Sequence, residues 1–182
     1  MVTRQEIEDS IKGKDSLIKI DYLKRYLRQA DSMDIKRFIL LNLAAANESR
    51  GLLNDAVKNV ASAGDISITY REKRELYMKE VSLWIKVGDF IMAEKAFHKA
   101  ISYGSELERV EMQSLYEDTF MAMGKNYEDS GKFRKALEIY ERLSQMTKTA
   151  NRKLETREKL LHLYGKLGRI REYNRMKNAK FQ

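Results

Sequence analysis

Apolar residues recur along this chain at helical rather than strand spacing. In the stretch from Phe120 to Met146, one set of Phe120, Met123, Gly124 and Tyr127 falls at i, i+3, i+4, i+7. A second set, Ala136, Tyr140 and Leu143, repeats the spacing beyond Ser130-Gly131. Gly131 supplies the left-handed residue that ends the first helix, because only Gly takes that conformation without Cβ strain. Small residues at Gly124 and Ala136 let two backbones approach, while Tyr127 and Tyr140 fill the space beside them. The pattern predicts two antiparallel helices joined by a tight turn.

The same arrangement recurs. A helix from about Met33 to Arg50 carries Leu40, Leu43 and Ala44, ends at Gly51, and is answered by Ala56, Val60 and Ala63 before Gly64. A helix from about Ser67 to Val87 carries Tyr77 and Trp84 and ends at Gly88, with Ala93, Phe97 and Ala100 beyond it. A long first helix beginning at Ser105 opens the next pair. The last pair holds Leu160, Leu161 and Tyr164, a turn at Gly168, then Tyr173 and Met176. Turn glycines therefore fall at 51, 88, 131 and 168, separated by 37, 43 and 37 residues. Three of them have an Ala five residues on (Gly51/Ala56, Gly88/Ala93, Gly131/Ala136), a register that unrelated amphipathic helices have no reason to share. The units run at about 37–64, 67–104, 105–146 and 148–180. Residues 1–36 form a short helix ending near Gly13 and a stronger one capped by Asp15-Ser16 with Ile20, Leu23 and Leu27 on one face. They read as an N-terminal cap or a degenerate unit.

This pattern resembles the tetratricopeptide repeat, whose signature is a large apolar residue, then Leu-Gly, an aromatic, Ala, an aromatic and a small or apolar residue. The resemblance covers roughly residues 37 to 180 and is most specific over 74 to 143. It departs from the family in its longer periods, in having no Pro, and in placing Tyr173 where Ala is expected and Lys177 where an aromatic is expected. The resemblance implies an all-α, right-handed solenoid of antiparallel helix pairs, with about nine or ten helices in this chain. It also implies a groove lined by the first helices of successive units. Carried onto this sequence, the groove positions are Leu41, Met78, Met121 and Glu158, followed four residues later by Ala45, Ser82, Lys125 and His162. That gives an apolar, Met-containing floor and a polar C-terminal half, suited to an amphipathic helix or an extended peptide. The competing reading packs Met78 and Met121 into the core. The family's carboxylate-clamp grooves need Lys and Asn at the two positions; Leu41/Ala45 and Met78/Ser82 do not match, so binding of a chaperone tail is not expected.

Composition narrows the chemistry. No cysteine is present, which removes disulfides and thiolate chemistry. His98 and His162 lie on different helices without metal-ligand spacing, and the carboxylates fall at the i, i+4 spacing of solvated helix faces, as in Glu138 with Arg142. Neither phosphate-cradling glycine motif occurs. A non-catalytic protein without cofactor or metal is expected, binding another protein or peptide, with self-association through exposed repeat ends as a further reading. The N-terminus lacks the apolar core of a secretory signal and no run spans a bilayer, so a cytoplasmic location is expected.

The net charge of +8 is unevenly distributed. From Lys148 onward, eleven Lys or Arg face three Glu, while the preceding residues hold 24 of each sign. A basic patch of Lys166, Arg169, Arg171, Arg175, Lys177 and Lys180 makes RNA or DNA binding the alternative function, with an anionic partner protein or an acidic membrane surface as further readings of the same charge. The plainer reading is a solvated face that closes the stack.

Overall fold

The computed structural model describes residues 2–179. Among them are ten α-helices and no strand: α1 (Arg4–Ile11), α2 (Ser16–Gln29), α3 (Met33–Ser49), α4 (Leu53–Asp65), α5 (Tyr70–Val87), α6 (Phe90–Ser102), α7 (Glu106–Asp129), α8 (Phe133–Met146), α9 (Ala150–Lys166) and α10 (Ile170–Asn178). They pair in chain order, and the chain divides into two compact units, Met1–Met112 and Gln113–Gln182.

Local chemistry starts and stops these helices. Ser105 opens α7 with a reciprocal cap: its backbone N–H donates to Glu108 Oε2 at 2.8 Å, and Glu108 N–H donates to Ser105 Oγ at 3.4 Å. Thr69 caps α5 and Thr3 caps α1, each hydroxyl accepting from an N–H three residues on at 3.2 Å. The glycines after each first helix, Gly13, Gly51, Gly88, Gly131 and Gly168, all have φ between 68° and 91°. A residue with a Cβ pays roughly 1–2 kcal/mol in that conformation, which fixes glycine at the turns. Gly13 adds a fifth turn, so α1 and α2 form a pair of the same kind as the rest. With only eight residues, α1 is too short to carry the full signature.

In the first unit, Ile7, Ile20, Leu23, Ile39 and Leu43 pack α1, α2 and α3 together, and Ala44, Ala56, Val57, Val60 and Leu83 join α3, α4 and α5. In the second unit Phe120, Ala136, Tyr140, Leu143, Leu160 and Leu163 are buried. Gly124 and Tyr140 meet as the spacing predicts: a Cβ added to Gly124 would lie 2.4 Å from the Tyr140 ring. The 43-residue gap between turn glycines comes from α7, 24 residues long against 17 for α3 and α9 and 18 for α5. Helix α10 buries no residue.

Candidate functional site

Within the first unit, α3 and α5 are bridged by side chains at two levels. Arg37 pairs with Glu72, and Lys86 Nζ donates to Glu48 Oε1 at 2.6 Å. The order of the two contacts shows that the helices run in the same direction. Beside the Arg37–Glu72 pair lies a cavity of about 290 Å³, walled by Phe38, Leu41 and Leu76 and rimmed by Arg4, Arg37, Glu72 and Glu75. Arg4, on α1, sets its guanidinium 5.5 Å from the Phe38 ring centre and donates to both carboxylate oxygens of Asp34 at 2.6 Å. The hydrogen bond from Arg4 holds the Asp34 carboxyl below its ordinary range. At Glu72 burial pushes the other way, but bonds from Thr69 and Arg37 outweigh it and the net shift is downward. Glu75 is itself paired with Arg71 at 2.9 Å. The charged rim is thus internally compensated, and the wall presents apolar surface.

Of the groove positions expected in this unit, Leu41 lines the cavity and is half-buried. Ala45 is exposed. Met78 is buried, 9% exposed, so the competing core reading describes it better. Ser82 is half-buried, and its hydroxyl donates to the Met78 carbonyl at 3.2 Å. The sequence reading passed over Phe38, one turn before Leu41, and Leu76, two residues before Met78.

In the second unit Met121 is half-buried and Lys125 exposed on α7, and Glu158 and His162 are exposed on α9. Two side-chain ties again join the first helices. Arg152 pairs with Asp118 and Glu155, and Lys159 Nζ donates to Glu128 Oε1 at 3.0 Å. Glu128 also accepts from the Tyr140 hydroxyl at 2.6 Å. Burial raises the Glu128 carboxyl, but the bonds from Tyr140 and Lys159 lower it further. Neighbouring first helices in both units are therefore linked by acid–base pairs 30 to 38 residues apart in sequence, as in Arg4–Asp34, Lys86–Glu48 and Lys159–Glu128.

The basic residues of the second unit divide. Lys166 sits 3.7 Å from the Phe133 ring centre, and Lys177 lies 5.8 Å from that of Tyr173. Arg169 reaches Glu141 at 3.5 Å and Glu172 at 4.0 Å. Glu141 also accepts from Tyr164 at 2.8 Å, and burial together with that carboxylate pushes the phenol up to about 12. Arg157, on α9, donates through Nη2 to the carbonyls of Met176, Lys177 and Ala179 at the end of α10. Arg171 and Arg175 are exposed and meet no acid among the described residues; Lys180 lies outside the described residues.

His98 is exposed beside Glu94. Among the described residues Glu80 and Glu117 are buried acids that periodicity did not reveal. Glu80 is 4% exposed, accepts from Trp84 Nε1 at 3.1 Å, and leaves Oε2 without a partner. Burial pushes its carboxyl up, against the partial relief of the Trp84 bond and the charge of Lys99. No helix among the described residues is long and apolar enough to cross a membrane.

No family model matches the chain, and no curated protein matches it either. Solved structures do. A TPR repeats protein from Bacteroides fragilis is 13% identical over 97% of this chain and 76% of its own, with a TM-score of 0.51. The TPR domain of P58(IPK) is 16% identical over 95% of this chain and 48% of its own, with a TM-score of 0.50. At such identities the likeness concerns the fold.

Proposed function

We propose that this chain, a tetratricopeptide-like helical solenoid by fold, is a non-catalytic interaction module that holds a peptide or helix of another protein against its first helices. The observation that carries this reading is the cavity between α3 and α5. Its volume of about 290 Å³ lies at the lower edge of the usual range for small-molecule sites, which fits one large side chain better than a free ligand. Phe38, Leu41 and Leu76 give that side chain apolar contact, while Arg4 and Arg37 are already matched by Asp34 and Glu72. A compensated rim discriminates little by charge, so the anchor is a bulky apolar residue such as Leu or Phe. Burying it contributes about 1.5–3 kcal/mol, roughly 10- to 150-fold in Kd. Exposed Ala45 extends the surface past the cavity, and Met121, Lys125, Glu158 and His162 form the corresponding stretch of the second unit.

A displayed-peptide library selected on the whole chain tests this. Selected peptides share a bulky apolar residue, and Leu41→Glu abolishes their binding while helicity and melting stay unchanged. Met121→Glu, in the other unit, asks whether the second stretch contributes. Peptides indifferent to both Leu41→Glu and the milder Leu41→Ala would remove the cavity from the site.

A further inference from the structure

A second surface lies on α10, apart from the proposed peptide site. On this helix Arg171, Asn174, Arg175 and Asn178 follow one another at i, i+3, i+4 and i+7, and all four are exposed. The opposite side carries the half-buried Tyr173 and Met176, with Tyr173 lying close over Gly165 of α9. The outer stripe therefore presents two guanidiniums and two amides and no carboxylate. Elsewhere in this unit Arg152, Lys159 and Arg169 are occupied by acids. Arg171 and Arg175 have no such partner among the described residues.

Arg157 strengthens the positive field. The C-terminal end of a helix carries a partial negative charge from its unpaired carbonyls, which repels an approaching anion. Here the Arg157 guanidinium covers three of those carbonyls, at 2.7, 3.0 and 3.1 Å. The helix that bears the unmatched arginines is thus also relieved of its negative pole, within a segment whose eleven basic residues face three acids.

We infer that the outer face of α10 docks against the phosphate backbone of double-stranded DNA, independently of base sequence. Guanidinium and amide donors match phosphate oxygens. The stripe carries no large apolar side chain to enter a bilayer; Ile170, at the helix start, is the one exposed large apolar residue of α10. Among the described residues Tyr164 is buried and Tyr173 half-buried against α9, so this face of α10 presents no exposed ring on which unpaired bases could stack. An exposed helix rides on the wide major groove of B-form DNA, whereas the deep, narrow major groove of duplex RNA excludes it.

Fluorescence anisotropy with a random-sequence DNA duplex, titrated at several salt concentrations, tests the inference. Binding is expected to weaken steeply with salt. Arg171→Glu/Arg175→Glu should lose at least about tenfold in affinity and, with two phosphate contacts gone, flatten the slope of log K against log salt by about 1.8. Arg171→Gln/Arg175→Gln gives the same direction without charge reversal and guards against misfolding, with circular dichroism as the check. Lys58→Glu, an exposed position in the first unit, should change little. No binding at low salt, an unchanged slope in both double variants, or equal or tighter binding to duplex RNA, phosphatidylserine vesicles or polyglutamate would overturn it.

Discussion

The contact between Gly124 and Tyr140 permits a paired experiment in which one substitution has opposite outcomes at two glycines. Replacing a helical Gly by Ala gains about 1 kcal/mol from backbone propensity alone. At Gly165 on α9, the new Cβ would lie 3.9 Å from Tyr173, an ordinary contact, so Gly165→Ala should stabilise by about 0.5–1 kcal/mol. At Gly124 on α7, it would sit 2.4 and 2.6 Å from Cε1 and Cζ of Tyr140, nearer than carbon atoms can approach. Tyr140 has no exposed surface, and its hydroxyl is bound to Glu128 at 2.6 Å, so the ring has nowhere to withdraw. Overpacking typically costs about 1–3 kcal/mol, and this contact belongs at the upper end, giving a net loss for Gly124→Ala of about 1–2 kcal/mol. Urea unfolding followed by circular dichroism reads both variants, and for a chain of this size each kcal/mol moves Tm by about 2–4 °C. Adding Tyr140→Leu should make Gly124→Ala far less costly than in the parent. If Gly124→Ala proves as stable as the parent, or its cost is the same with Leu at 140, the close approach of α7 and α8 is not what limits this position.

Two further substitutions probe other parts of the structure. Burial raises the Glu80 carboxyl, so its contribution to stability is full below the ordinary carboxylate pKa and is lost as pH rises through the elevated folded value. Glu80→Gln removes that loss: relative to the parent it should gain stability as pH rises above the ordinary carboxylate range, and a pH-independent difference in urea midpoints would refute this. Arg157→Ala should release the end of α10, costing about 1–3 kcal/mol locally and speeding amide exchange there while leaving α3 to α6 protected; unchanged protection of α10 would show that the three carbonyl contacts do not hold it.

What could be read from the sequence was what one helix pair determines by itself. Gly51, Gly88, Gly131 and Gly168 punctuate the chain because a left-handed turn residue follows each first helix, and the structure puts all four at such turns. Gly124 opposite Tyr140 was legible for the same local reason. The contacts that shape the candidate site were not. Arg37 with Glu72, and Glu128 with Lys159, join residues about one repeat apart, and their partners depend on how successive pairs stack. Met78 and Met121 occupy the same register position, yet only Met78 is buried. Glu80 looked like surface because a charged residue in a helix usually is; only the packing around α5 places it inside.

The unusual length of α7 has a consequence for how this chain tolerates change. It exceeds α9 by seven residues while ending at the same distance from its glycine, so the surplus sits at its N-terminal end. Seven residues make almost two full turns, out of phase by only about 20°. Because the surplus lies before Phe120 and Gly124, it lengthens the rod without altering their approach to α8, which the turn at Gly131 sets. A change of length at that end is expected to leave the seat of the Tyr140 ring against Gly124 in place.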